Sequence, residues 1–92
     1  MKIIWDSEKA AANPKNNDGV TFEEARHVLL DPYALTREDS DSKNEQRFII
    51  TFGMGGKNRT LIVVYTYRGE TIRIISAWKA SEPQWRRYES QF

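Results

Sequence analysis

Residues Arg59–Lys79 read R-T-L-I-V-V-Y-T-Y-R-G-E-T-I-R-I-I-S-A-W-K. Runs of β-branched and aromatic residues flank Arg68-Gly69, so strand formers lie on both sides of a short glycine-containing connection, and the stretch reads as a β-hairpin. With Arg68-Gly69 as the two-residue loop, Leu61, Val63, Tyr65 and Tyr67 oppose Ser76, Ile74, Ile72 and Glu70. That face is mostly apolar and should carry the helices. The other face sets Thr60, Ile62, Val64 and Thr66 against Ala77, Ile75, Arg73 and Thr71. Arg73 is then a cation in mid-strand on the more open face, and Lys79 continues its parity. Arg59 falls on the opposite parity, at a strand end beside glycines, where a bulge or frayed pairing could turn it over.

Outward from the hairpin, Gly53–Asn58 is a flexible turn and Arg47–Phe52 a further strand. Before these, Arg37–Glu45 (R-E-D-S-D-S-K-N-E) is charged and aperiodic, as expected of an exposed connector. Tyr33–Thr36 reads as an edge strand. Thr21-Phe22-Glu23-Glu24 has the form of a capping box, the Thr21 hydroxyl reaching the Glu24 N–H and the Glu24 carboxylate reaching back. It opens a helix with Phe22, Ala25, Val28 and Leu29 on one face, stopped at Leu30-Asp31-Pro32. Lys2–Trp5 is a first strand. Asp6 or Ser7 caps an alanine-rich helix over Glu8–Ala12, which Pro14 ends. Downstream, Ser81-x-x-Gln84 is a second capping box, opening a helix over Glu82–Ser90 with Trp85 and Tyr88 on one face.

The order is strand, two helices, a meander and a helix. It implies an α+β fold of two layers, a mainly antiparallel sheet with helices packed on one face, over residues 1–92 as one domain. A core of this size is modest, so a partner that binds the folded form would add stability. There is no cysteine, which removes disulfides and thiolate metal sites and suits the cytoplasm. No apolar run reaches the length of a membrane span.

The net charge of +1 is unevenly placed: residues 1–46 hold six Lys/Arg against ten Asp/Glu, and residues 47–92 hold eight against three. A basic half that coincides with the strands reads as an anion-facing surface; the alternative is two halves that neutralise each other on folding.

Much conventional catalysis is missing. The single histidine, His27, lies on a helix among acidic and apolar neighbours and reads as a surface or boundary residue rather than a base. No ligand set for a metal converges, and no cofactor is expected. G-M-G-G-K-N-R lacks the spacing of a phosphate loop and the Ser/Thr after its lysine. Ser76 has no histidine partner, so a nucleophilic serine is not expected. What remains is cations with aromatics: Arg47, Lys57, Arg59, Arg73, Lys79, Arg86 and Arg87, with Trp78, Trp85 and Tyr88. Arginine forks hold phosphates and aromatic rings stack bases. Such a set could cleave RNA through the 2′-hydroxyl, where the requirement is to align the attack and stabilise charge on the phosphorane. Trp78 and Trp85 read first as burial.

The chain resembles the BrnT family of type II toxins, small ribonucleases of toxin–antitoxin pairs. The resemblance rests on W-D-S-E-K-A, G-V-T-F-E-E-A, D-P-Y-A-L-T, E-Q-R-F-I, R-T-L-I-V-V-Y-T and R-I-I-S-A-W-K-A before R-R-Y-E, in that order. It implies a RelE-like fold and an endoribonuclease, metal-independent in mechanism. Arg59, Lys79 and Tyr88 would be its catalytic residues, and Arg47, Lys57, Arg73, Trp78, Arg86 and Arg87 would bind RNA. It also implies a BrnA-type antitoxin as partner, with DNA contacted only through that antitoxin. The sequence departs at Asn17-Asp18-Gly19, where family members commonly carry Lys-His-Gly, and at Trp78, often arginine. These departures leave room for a non-catalytic toxin-like module that binds antitoxin or nucleic acid and tunes operon repression.

Overall fold

The computed structural model describes residues 2–38, 47–56 and 59–92. In chain order the elements are β1 (Lys2–Trp5), α1 (Ser7–Asn16), α2 (Phe22–Leu29), β2 (Leu35–Glu38), β3 (Arg47–Met54), β4 (Thr60–Arg68), β5 (Thr71–Lys79) and α3 (Glu82–Glu89). Among the described residues the strands form one sheet in the order β1-β5-β4-β3-β2. The meander β2–β5 is antiparallel throughout, and β1 joins β5 in parallel. The fold is α+β in two layers. The edge strand expected at Tyr33–Thr36 instead runs Leu35–Glu38, so Arg37 and Glu38 belong to it. The rest of the expected connector, 39–45, lies outside the described residues.

The core lies between the sheet and the first two helices. Phe22, Ala25 and Val28 of α2 are buried against Leu61, Val63 and Tyr65 of β4 and Ile72, Ile74 and Ala77 of β5. Each large apolar side chain so buried contributes roughly 1.5–3 kcal/mol. Close approach of α2 to the sheet depends on glycine. A Cβ at Gly53 would stand 2.8 Å from Val28 Cγ1, and one at Gly55 would stand 3.2 Å from Glu24 Cγ. The third helix packs elsewhere. Tyr88 and Trp85 gather with Ile62, Trp78, Ala80 and Met54, and Ile62 has the opposite strand parity to Leu61 and Val63. The face opposite α1 and α2 is therefore partly covered by α3.

Two departures in β4–β5 control the site. The turn is Gly69-Glu70 rather than Arg68-Gly69: Arg68 pairs with Thr71, and Gly69 takes φ +63°. A glycine alone at positive φ in the first turn position is the type II′ pattern, whose twist matches a hairpin. The second departure is a bulge. Tyr65 pairs with Ile74 but Val64 pairs with Ser76, which leaves Ile75 as the extra residue. An extra residue reverses the alternation beyond it. Lys79 therefore does not keep the parity of Arg73. It pairs with Leu61 and shares the side of Ala77.

Helix α1 also runs past its expected end. Asp6 caps it, its Oδ1 accepting from the N–H groups of Glu8 (2.8 Å) and Lys9 (3.1 Å). Pro14 does not stop it, and the helix continues to Asn16. A side-chain anchor holds this last turn. Asn13, 6% exposed, donates from Nδ2 to the carbonyls of Val20 and Ala77, both at 2.8 Å. Its Oδ1 accepts from Asn17 Nδ2 at 2.9 Å and from the Ala77 N–H at 3.3 Å. Asn13 thus meets both backbone groups of Ala77, as a neighbouring strand would, where β1 has ended at the partner of Ile74.

Candidate functional site

Glu24 begins the site. Four residues before Val28, it lies at the margin of the apolar stripe of α2, and its side chain is 2% exposed. The Thr21 hydroxyl accepts from its N–H at 3.0 Å, so one arm of the expected capping box forms. The other does not, because the carboxylate turns to Arg59. Arg59 donates from Nε to Oε1 at 2.6 Å and from Nη2 to Oε2 at 2.9 Å. This fork-on-fork geometry is the strong form of an ion pair. It holds the Arg59 guanidinium further toward its charged form than usual, first through the Glu24 hydrogen bonds, against the cost of burial. Asp18 adds to the same effect through its charge. Asp18 is itself in the left-handed region, with φ 53°.

Arg59 is 28% exposed and reaches an open cleft of ≈ 250 Å³ at the end of the sheet. Lys79, Trp85, Met54, Thr60, Ala80 and Glu89 complete its lining. The β5 bulge makes this convergence possible by bringing Lys79 to the side of Leu61, two residues beyond Arg59 in β4. Of the five guanidinium N–H donors, Nε–H and one on Nη2 are engaged among the described residues; both on Nη1 and the other on Nη2 are then open to a ligand. Among the described residues Lys79 is exposed and makes no ion pair. The cleft thus offers a fixed fork, a flexible ammonium and the indole of Trp85, with Glu89 at its margin.

Tyr88 is set apart from this pair. It is 3% exposed and does not line the cleft. Its hydroxyl donates to Asp31 Oδ2 at 2.7 Å, an oxygen that also accepts from the Met54 N–H at 2.9 Å. Burial, then the bond to Asp31, pushes the Tyr88 hydroxyl up to about 12. Desolvation works against the Asp31 carboxylate, but hydrogen bonds from Met54, Tyr88 and Tyr33 hold it below its ordinary range.

The remaining predicted residues are spread around the molecule. Arg73 pairs with Thr66 and Ile4, and its Nη2 stands 4.0 Å from Asp6 Oδ2. Six residues of strand place it ~20 Å from Lys79. Trp78 is half-buried in the cluster under α3. Arg86 bridges to Glu82 at 2.6 Å, with its Cζ 5.7 Å from the Trp85 ring centroid, and Arg87 is exposed on the same helix. Arg47 opens β3 opposite Thr66. Lys57 lies outside the described residues, as does the side chain of Arg47. No group of three or more His, Asp or Glu among the described residues stands ready to hold a metal ion. None of their helices is long and apolar enough to cross a membrane.

Sequence reasoning missed Glu24 as the partner of Arg59 and Glu89 as a cleft residue. The signal for Glu24 was its helical spacing: a glutamate at i−4 from a buried valine is drawn into the packed face and needs a cation there. Glu89 carried no such signal.

The family model for BrnT, the ribonuclease toxin of type II toxin–antitoxin systems, matches residues 5–83. The matched span includes Glu24, Arg59 and Lys79 and stops before Trp85 and Tyr88. No curated protein matches the chain. With the family model covering most of its length, from Trp5 to Pro83, the chain belongs to the BrnT family of ribonuclease toxins.

Proposed function

We propose that this protein is an endoribonuclease that cleaves RNA at the Arg59–Lys79 cleft without a bound metal and is neutralised by a BrnA-type antitoxin. The observation that carries this reading is the convergence of a bidentately fixed arginine and an exposed lysine beside an indole in one cleft. In cleavage by the neighbouring 2′-hydroxyl, negative charge grows on the non-bridging oxygens of the phosphorane. The remaining Arg59 donors and the Lys79 ammonium stabilise it, and one such preorganised donor is worth roughly 10²–10³ in rate. Trp85 offers a face on which a base flanking the scissile phosphate stacks. Arg86 and Arg87 extend the positive charge along α3. Arg47, Lys57, Arg73 and Trp78 belong to a longer RNA path. On this reading the protein acts in the cytoplasm and meets DNA only through its antitoxin. Tyr88 takes part only where Asp31 releases its hydroxyl.

A second reading, a non-catalytic module that binds antitoxin or nucleic acid and tunes repression, has one observation in its favour. Arg59 is already paired with Glu24, and the negative charge of Asp18 acts on it as well. One experiment separates the two. Purified protein is incubated with a labelled RNA at substoichiometric amounts, alongside Lys79→Ala. Multiple-turnover cleavage that falls about 10–100-fold in the variant, with unchanged thermal midpoint, supports the enzyme. Salt-dependent binding with no product supports the module.

A further inference from the structure

Among the described residues the cleft of ≈ 250 Å³ has one acid beside its cations, Glu89. Its carboxylate opposes the phosphate that Arg59 and Lys79 attract, so its place along the cleft decides what it can do instead. Helix α3 begins at Glu82, just after Lys79 has ended β5. At a rise of ~1.5 Å per residue, Trp85 lies ~4.5 Å and Glu89 ~10 Å along the axis from Glu82. Four residues apart, they share a helix face, and both line the cleft. Along α3 the order is therefore ammonium before the helix, indole one turn in and carboxylate at the far end.

That face is fixed on the sheet. Tyr88, beside Glu89 in the chain, is buried with its hydroxyl 2.7 Å from Asp31 Oδ2. At the start of the helix the Ser81 N–H donates to Gln84 Oε1 at 2.8 Å, and just past its end Gln91 Nε2 donates to the Tyr33 carbonyl at 2.9 Å. Turning Trp85 and Glu89 out of the cleft would break these bonds. The neighbouring acids are occupied: Glu82 is bonded to Arg86 at 2.6 Å, Glu24 to Arg59 and Asp31 to Tyr88. Among the described residues the Glu89 side chain is exposed and makes no ion pair, so its oxygens are open to a ligand.

An ionised carboxylate accepts hydrogen bonds and donates none. Of the four RNA bases only guanine carries two adjacent donors, N1–H and the N2 amino group, on its pairing edge, matched to the two carboxylate oxygens. Adenine and cytosine place a ring acceptor beside their amino donor, and uracil flanks its imino donor with carbonyls. Each of these sets a lone pair against the carboxylate. Unpaired bases of single-stranded RNA expose this edge and stack on aromatic side chains. The cleft lies just below the usual range of small-ligand pockets, about 300–1,000 Å³, and suits a single nucleotide.

We propose that Trp85 and Glu89 form a nucleobase subsite that selects guanine beside the scissile phosphate. This rests on the ribonuclease reading above, in which Arg59 and Lys79 hold that phosphate. The indole carries the base, and the carboxylate accepts from N1–H and N2–H. A subsite built to hydrogen-bond one base rejects the others because its acceptors are then left unpaired.

The test uses the full chain and short labelled RNAs of C and U with one central position set to G, A, C, U or inosine, which lacks the N2 amino group. kcat/KM is read at the phosphates adjoining that position, and Kd is read with 2′-O-methyl copies that cannot be cleaved. The wild type should favour G over A by about 10-fold or more in both, with inosine between them. In Glu89→Gln and Glu89→Ala the G-to-A ratio should fall to within about threefold, with unchanged thermal midpoints. Removing a negative charge tightens binding of every RNA alike, so a carboxylate acting only through its charge would leave the ratio intact. A wild type that treats G and A equally would overturn the subsite and leave the ribonuclease reading standing. So would variants that keep the ratio, or that lose cleavage at every base. A wild type that cuts no RNA overturns the ribonuclease reading, and the 2′-O-methyl ratio then decides the subsite by itself.

Discussion

Two carboxylates bracket α2, and each holds a residue expected to do chemistry. Glu24 in the first turn holds Arg59; Asp31, just past the last turn, holds Tyr88. The difference lies in what the held group has left over. Arg59 has five donors and gives two to Glu24, so the contact that fixes it still leaves three for a ligand. Tyr88 has one hydroxyl proton and gives it to Asp31. The same kind of clamp therefore preorganises the arginine and occupies the tyrosine. Proximity to a predicted site is a weaker guide than the number of hydrogen-bonding groups a residue has to spare.

The largest break in this comparison is expected from Arg59→Ala. It removes the fork from the cleft and leaves a carboxylate that is 2% exposed without its cation. Stranding one member of such a pair costs about 3 kcal/mol, so denaturant unfolding should shift to a clearly lower midpoint while RNA cleavage falls by 10²-fold or more. An Arg59→Ala variant with wild-type stability would mean that Glu24 is solvated or protonated without its partner. Tyr88→Phe should do less and do it differently. Losing a hydrogen bond to a carboxylate costs about 1.5–3 kcal/mol, and cleavage should remain within threefold of wild type. A 10²-fold loss of cleavage in Tyr88→Phe would place its hydroxyl in the reaction after all.

The smallest effect concerns acid. The folded-state pKa of Asp31 lies below its ordinary value, so the stability it contributes is fully present above the unfolded-state pKa, near 4. That contribution is lost as pH falls through the folded value. Asp31→Asn should accordingly be less stable than wild type at pH 6, and the gap should narrow as pH falls below about 4 in urea titrations. A constant gap would assign the loss to packing rather than charge.

The hairpin, the α2 stripe and both N-terminal caps were legible because they depend on neighbours in sequence. Alternation located β4 and β5, and Thr21 capped α2 as its spacing implied. The register was not legible, since Gly69 serves as the first turn residue and Ile75 adds a bulge inside R-I-I-S-A, where no glycine marks it. That single extra residue decides whether Lys79 faces with Arg59 or with Arg73. The partner of Glu24 was equally hidden, 35 residues away, behind a local capping reading that accounted for it well. Pro14 misled in the other direction. A proline in the last turn of α1 is tolerated because Asn13 beside it is anchored to the sheet, a contact 64 residues distant.

That anchor also bears on which chains this sheet can recruit. Among the described residues β5 has no strand beside it on the β1 side beyond Ile74, and an uncovered edge of this kind is a template for strand addition by another molecule. Asn13 occupies the hydrogen-bonding positions of Ala77 with its own amide. Until α1 docks, an incompletely folded chain presents that edge openly. Docking of one asparagine side chain therefore closes off that stretch of β5, and among the described residues the outer strands of the sheet are β1 and β2.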